Sequence, residues 1–554
     1  MNQPPSKGGF WPYFALVSLL VLLVAAIRWS LAHPYGIHWD ESLYFNDSAL
    51  DVQRLKGRML LTLAKRLFLE SGSRPPAYRL LALPFLTLFG FHALTARLVS
   101  MACYGATCWF LFKATRQVAS EVAGAFAMLI FALSPEVVSA SIFFGTDAPV
   151  YLATSALLYY VFVIWSGQPE RASTWIGLGL ALGIGFLTKT SFFVIAGPVL
   201  VFWFITELSG KLGVPSLFRQ WKAGVLAFLI GVPWWVLNVK TAMAYTQYAR
   251  GFVRNSLGPP SLGTWVRWLN TVIQCLWGHG LSILIALILI AYIRAAIANR
   301  SLLLEPLQRL VLGACLCAGL PIVLAQLSGT NHLLRHITPA MIPLAIVVAL
   351  LADRAGWLSS MPALAVSGIL FCAQLGMLVA PVVFPNKAPV EISFVNGALP
   401  WQTMERFDQW DWSTVRDISI RCGAADPKIA ILGSGRNFTP PAIQYAWVER
   451  PPSNLRGPLN PPYVKWLWRY EDGPLDWQKI MEAAGKTDIF ITAPGFVGAL
   501  NNKEDLDNEH NAEFAARLSQ DPRYQKPIRL QMGRFEPTEV DLFLSKNLVC
   551  PSAQ

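Results

Sequence analysis

Charge is what this sequence lacks. Only 14% of its 554 residues are Asp, Glu, Lys or Arg, 54% are hydrophobic, and the mean hydropathy is +0.43. A soluble chain of this length would hold about 25% charged residues in roughly three or four domains, so that class is excluded. The apolar content also excludes a disordered or collagen-like chain. Cysteine is sparse at eight residues, which excludes a secreted disulfide scaffold. Histidine numbers only seven, and none shows ligand spacing on one helix with a partner acid. His332 and His336 share i,i+4 spacing, but with Pro339 close behind they read as plain loop histidines. No repeat of fixed period is present.

What is present is a series of apolar runs long enough to cross a bilayer. The first, Phe10 to Ile27, comes after a nearly uncharged start and lacks the short core and small-residue cleavage site of a signal peptide. Further candidate spans lie near 95–113, 120–140, 148–166, 173–188, 191–207, 223–238, 280–297, 308–326, 338–352 and 361–383, about eleven in all. The stretch Arg79–Gly90 is apolar but short and interrupted by Pro84. It is expected to lie at the outer interface or re-enter the bilayer, because counting it as a span would invert every later loop. With the N-terminus inside, Lys113, Arg116, Arg171, Lys211, Arg219, Lys222, Arg294, Arg300, Arg309 and Arg354 all fall on the cytoplasmic side.

Residues 384–554 hold 19 basic and 21 acidic side chains, which leaves 26 and 12 for residues 1–383. The excess of cations therefore belongs to the membrane part, where it orients helices and meets lipid phosphates, and nucleic-acid binding is not expected. One outer loop, 34–93, breaks the positive-inside pattern with Arg54, Lys56, Arg58, Lys65, Arg66, Arg74 and Arg79. A functional need for cations on the outer face would account for it.

The chain thus divides into a polytopic α-helical membrane domain, 1–383, and a small α/β domain, 384–554, on the outer face. In the latter, Lys428–Gly433 and Thr487–Thr492 read as strands. Gly433-Ser-Gly-Arg lacks a full dinucleotide fingerprint, and the Pro-rich segments of 440–462 are expected to form surface loops.

Four signals could carry chemistry. His38-Trp-Asp-Glu-Ser-Leu-Tyr44 places Asp40 and Glu41 just beyond the first span, where ionised groups need partners or a task; the plain alternative is a pair that caps the next helix. Gly145-Thr-Asp147-Ala-Pro149 sets an acid at the outer end of a span, which could equally be a helix N-cap. Ser73-Arg-Pro-Pro-Ala-Tyr78 projects Arg74 and Tyr78 from an extended path; Arg74 would suit a phosphate or simply snorkel. Lys189 ends an apolar helix on the same face, to meet an anion or to snorkel.

In this order the four signals resemble the GT-C polyprenyl-phosphate-sugar glycosyltransferases, in the branch of the lipid A aminoarabinose transferases and protein O-mannosyltransferases. The matching elements are Asp40-Glu41 with Tyr44, Arg74-Pro75-Pro76, Arg97-Leu-Val, Leu133-Ser-Pro135, Asp147-Ala-Pro149 and Gly177–Lys189. They cover residues 10–210; Arg335-His-Ile-Thr-Pro339 is a looser match. The resemblance implies a GT-C fold and an enzyme that moves one sugar, with inversion, from a polyprenyl-phosphate donor to an extracytoplasmic lipid, lipopolysaccharide or protein. It implies catalytic carboxylates among Asp40, Glu41 and Asp147, with Asp40 foremost. Arg74 and Lys189 would hold the donor phosphate, helped by Lys65, Arg250, Arg254 and Arg335, with Tyr44 and Tyr78 lining the cavity. No obligatory metal is implied for the single-sugar branch, although relatives that transfer oligosaccharides use a divalent ion.

The competing reading is a transporter or lipid flippase, which calls for inverted repeats and unwound midplane helices that the sequence does not show. The setting implied is a bacterial inner membrane with the C-terminal domain in the periplasm. There Cys422 and Cys550, alone in that domain, are expected to pair in an oxidising compartment; the alternative is two unrelated thiols. Asn46-Asp-Ser and Asn437-Phe-Thr match glycosylation sequons, which matter only in a eukaryotic host.

Overall fold

The computed structural model describes residues 9–35, 39–69, 74–167, 171–210, 217–257, 261–298, 304–328, 334–383, 410–433, 438–449, 461–468, 474–495, 510–533 and 537–550. Among the described residues eight helices are long and apolar enough to cross a membrane, and the chain is a multi-pass membrane protein. In chain order the membrane part runs α1 (Phe10–Ala32), α2 (Trp39–Lys56), α3 (Leu60–Phe68), α4 (Ala77–Phe89), α5 (Ala93–Arg116), α6 (Glu121–Ala132), α7 (Pro135–Ile142), α8 (Asp147–Trp165) and α9 (Ala172–Phe186). It continues with α10 (Ser191–Ser209), α11 (Trp221–Leu257), α12 (Leu262–Thr271), α13 (Gly278–Ala298), α14 (Pro306–Ser328), α15 (Leu334–Ile337), α16 (Met341–Arg354) and α17 (Met361–Val383).

All eleven expected spans are helical, but they are not all of one kind. The segment 120–140 is broken: α6 and α7 meet at a bend of 69°. Pro135 starts α7 in the first-turn position that its missing N–H tolerates, and the residue before a proline is driven out of helical geometry. The Ser134 hydroxyl donates to the Leu276 carbonyl and fixes the break. α9 is only 15 residues long, and α5 carries Arg97, Lys113 and Arg116; neither is among the eight. α4 is a 13-residue helix containing Pro84, too short to span, as its sequence suggests.

Helix packing explains the glycine-rich stretch before Lys189. A Cβ on Gly183 would stand 2.8 Å from the Cβ of Ile230 on α11. Small residues at such a crossing let two backbones approach where lipid supplies no hydrophobic drive of its own. The motif is therefore a packing seam that holds the end of α9, and with it Lys189, against α11.

The C-terminal domain is a five-stranded sheet in the order β2-β1-β3-β5-β4, with β1 Ile429–Ile431, β2 Val464–Trp466, β3 Ile489–Thr492, β4 Ile528–Met532 and β5 Thr538–Leu544. The first three strands are parallel, with Ile429 opposite Val464 and Ile489, while β5 runs antiparallel to β3 and β4. α18 (Ser413–Arg421) and α19 (Pro440–Glu449) cover one face; α20 (Trp477–Ala484) and α21 (Asn511–Gln520) cover the other. Both faces are buried, so β1 is wholly apolar and β3 is apolar up to its last residue, Thr492, rather than alternating. Cys422 and Cys550 are disulfide-bonded, with Cα atoms 4.1 Å apart.

One expectation fails here. The proline-rich start of 440–462 is a buried helix, α19, not a surface loop. Pro440 and Pro441 occupy its first turn, where no intrahelical N–H is required, and the Ala442 N–H bonds to the Thr439 hydroxyl at 3.3 Å. α19 lies against α2: the Asn46 side chain donates to the Pro441 carbonyl at 2.9 Å. That contact buries the Asn46 sequon, leaving 4% of the residue exposed; Asn437 lies outside the described residues.

Candidate functional site

α2 opens with two acids in its first turn, and successive helical residues point about 100° apart. Asp40 and Glu41 therefore enter different surroundings. Glu41 turns inward and is fully buried, with both carboxylate oxygens on Arg97 at 2.9–3.0 Å and Oε1 also accepting the Phe144 N–H at 2.9 Å. Arg97 in turn donates to the His33 carbonyl and, at 2.8 Å, to that of Tyr35. This closed set joins the end of α1, the start of α2, α5 and the segment before α8.

Asp40 remains 13% exposed and lies between two arginines, with Oδ1 2.8 Å from Arg74 and Oδ2 2.9 Å from Arg335. The backbone on its C-terminal side fixes Arg74. Pro75 and Pro76 lead into α4, whose first N–H, on Ala77, bonds to the Leu187 carbonyl at 2.8 Å. The same contact brings the end of α9 beside the Arg74 segment. The Arg74 guanidinium also packs over the rings of Tyr44, at 5.0 Å, and Tyr245, at 5.9 Å, and donates to the Tyr245 hydroxyl at 3.4 Å. Tyr44 is wedged against Gly145, where an added Cβ would come within 2.7 Å of the ring. Burial pushes the Tyr44 phenol well above its ordinary range despite the opposing charge of Arg74, so its hydroxyl stays protonated at neutral pH.

Asp147 begins α8, but its side chain does not cap the helix. Thr146 is the N-cap residue, with no side-chain cap bond, and the Asp147 carboxylate bonds Lys189 at 2.8 Å. Lys189 Nζ also lies 3.5 Å from His336 Nδ1. Arg335 feels the charges of both Asp40 and Asp147, which makes the two acid–base groups one electrostatic site. Glu136, in the first turn of α7, feels Asp147 and Arg335 as well. Among the described residues, Arg74 Nη1 and Arg335 Nε are shielded from water and have no hydrogen-bond partner. Two cationic N–H groups beside a carboxylate are suited to receive an anionic oxygen.

The other expected residues fall outside this constellation. Tyr78 is buried behind Tyr44, with ring centroids 4.6 Å apart and its hydroxyl 3.3 Å from Asp47. Lys65 is exposed on α3, while its neighbour Arg66 turns in to Asp47 and Asp51. The side chains of Arg250 and Arg254, and all of His332, lie outside the described residues. Among the described residues no three His, Cys, Asp or Glu side chains converge as metal ligands. His336, expected to be a plain loop histidine, instead lies in α15 beside Lys189, and sequence reading missed Glu136 and Tyr245. Glu136 carries a signal, since it follows Pro135 at the start of α7; Tyr245, in the interior of α11, carries none.

Residues 73–237 match the family model described as dolichyl-phosphate-mannose-protein mannosyltransferase, a segment that includes Arg74, Asp147 and Lys189. No match is found among curated proteins. The fold is similar to that of ArnT from Cupriavidus metallidurans bound to undecaprenyl phosphate, with a TM-score of 0.56 at 15% identity over 99% of this chain and 100% of that one. It is similar too to the oligosaccharyltransferase AglB of Archaeoglobus fulgidus (TM-score 0.51, 13% identity, 94% of this chain and 73% of that one). The mycobacterial arabinofuranosyltransferase AftD gives a TM-score of 0.51 at 14% identity over 98% of this chain and 42% of that one. The chain therefore has an ArnT-like fold, and over residues 73–237 it resembles the dolichyl-phosphate-mannose-protein mannosyltransferases in sequence.

Proposed function

We propose that this protein is an inverting glycosyltransferase that moves a single sugar from a polyprenyl-phosphate donor to an acceptor outside the cytoplasm. The observation that carries the reading is Asp40 set between Arg74 and Arg335, each with a buried N–H unpartnered among the described residues. That arrangement joins a carboxylate to an anion cradle. A solved relative of the same fold holds undecaprenyl phosphate, which supports a polyprenyl donor here.

In this mechanism an acceptor hydroxyl attacks the anomeric carbon from the face opposite the phosphate. The carbon–oxygen bond to the phosphate breaks, its electron pair leaves with the polyprenyl phosphate, and the hydroxyl proton passes to Asp40. Arg74, Arg335 and Lys189 stabilise the charge that gathers on the leaving phosphate. Asp147 holds Lys189 in place, and Glu41 anchors the turn through Arg97 rather than touching substrate. The acceptor approaches from the outer side, beneath the C-terminal domain, which in a bacterial inner membrane is periplasmic. A transporter reading finds no use for a carboxylate clamped between cations at one face.

The test is transfer by purified protein in lipid, with polyprenyl-phosphate-linked sugars as donors and products identified by mass spectrometry. A deletion strain, screened for changes in lipids, lipopolysaccharide and surface proteins, identifies the acceptor. Retained anomeric configuration in the product would refute direct displacement.

A further inference from the structure

The C-terminal domain meets the membrane part on the helix that carries Asp40. Along α2, Asn46 bonds the Pro441 carbonyl, Val448 packs with Ala49 and Leu50, and the Tyr445 ring lies 5.4 Å from that of Phe45. Phe45 stacks on Phe144 at 5.7 Å and lies beneath the Arg97 guanidinium at 5.6 Å. Tyr445 is 2% exposed, and its hydroxyl has no hydrogen-bond partner among the described residues. It feels the charge of Glu449 on its own helix first, and then those of Arg97 and Glu41. On its other side α19 is braced within its own domain, where Arg416 of α18 donates to the Ala446 carbonyl at 2.9 Å. α18 ends at Cys422, which the disulfide ties to Cys550.

Position distinguishes this contact from ordinary domain docking. Glu41 and Arg97 are wholly buried, as is Phe45, and α19 supplies part of the cover. Water admitted there would screen the Glu41–Arg97 pair and loosen the turn in which Asp40 is the next residue. We infer that the C-terminal domain is a positioning element of the site. Tyr445 seals the Glu41–Arg97–Phe45 platform and so holds the first turn of α2 where Asp40 meets Arg74 and Arg335. The kinetic consequence rests on the function proposed above; the structural consequence does not.

The experiment compares Tyr445→Ala with Tyr445→Phe in the full-length protein in lipid nanodiscs, by amide hydrogen exchange and by turnover. Tyr445→Ala is expected to raise exchange over residues 40–46 about tenfold while β3 and α8 stay unchanged. It should lower kcat about tenfold with the donor KM within about twofold. Tyr445→Phe keeps the ring, loses only an unpaired hydroxyl, and should match the wild type in both readouts. Should Tyr445→Ala fail to insert, Asn46→Ala removes a single hydrogen bond, and about threefold faster exchange over the same residues is expected. Unchanged exchange over 40–46, or a rise shared equally by β3 and α8, overturns the inference. Faster exchange at 40–46 in a protein whose wild type transfers no sugar supports the positioning role and refutes the enzymatic reading instead.

Discussion

Asp40→Asn separates two roles that one carboxylate could play between two arginines. Asn keeps the shape and one acceptor oxygen but removes the charge. Counting Asp40, Asp147, Arg74, Arg335 and Lys189, the site changes from a net of one positive charge to two. A unit charge roughly 6 Å from a phosphate is worth about 3 kcal/mol at an effective dielectric of ~20. The partial exposure of Asp40 and both arginines admits solvent screening, which reduces the gain to about 1 kcal/mol. Donor binding should therefore tighten, by about fivefold. Turnover should fall about 100-fold or more, because no carboxylate remains to take the acceptor proton. The assay is a titration of polyprenyl phosphate for Kd beside transfer at saturating donor for kcat. Wild-type turnover in a correctly inserted variant would refute Asp40 as the base. Donor binding weakened tenfold with kcat preserved would show that Asp40 only tethers the arginines.

Arg74→Ala should remove roughly 2–4 kcal/mol of transition-state stabilisation, read as the fall in kcat/KM; an unchanged value would place Arg74 outside the site. Glu41→Gln leaves the fully buried Arg97 without its counter-charge and should destabilise the fold by about 3–5 kcal/mol, seen as a lower Tm even without substrate. Cys422→Ser opens a loop that spans 128 residues and should remove up to about 4–5 kcal/mol from the C-terminal domain; thermal unfolding with and without reductant checks it, and wild-type protein indifferent to reductant would contradict it. Asp541, on β5, is raised above the ordinary 3.8 by burial, against the opposing pull of Arg529. The folded domain therefore binds this proton more tightly than the unfolded chain and loses stability as pH rises from about 3.8 through the raised value. Asp541→Asn should unfold later than wild type at neutral pH, with the difference vanishing in strong acid; a gap independent of pH would refute the assignment.

Local pattern was enough for much of this. Apolar length marked the helices, basic loops set one face, and Asp40, Asp147 and Lys189 stood out as ionisable groups at span ends, where lipid makes an idle charge costly; Arg74 stood out by the two prolines that follow it. The strands at 429–431 and 489–492 were legible as β-branched runs because both faces of a parallel sheet are covered. Which charges pair was not legible. Asp40 and Glu41 are adjacent and chemically alike, yet one faces two arginines at the site and the other is sealed against Arg97, because a helix turns its successive side chains to different neighbours. His336 entered the site, and the proline-rich 440–449 became a helix over α2, through contacts between segments far apart in the chain. Periodicity and composition record the environment each segment prefers. Partners across such distances are chosen only when the helices pack, and that choice belonged to the tertiary structure.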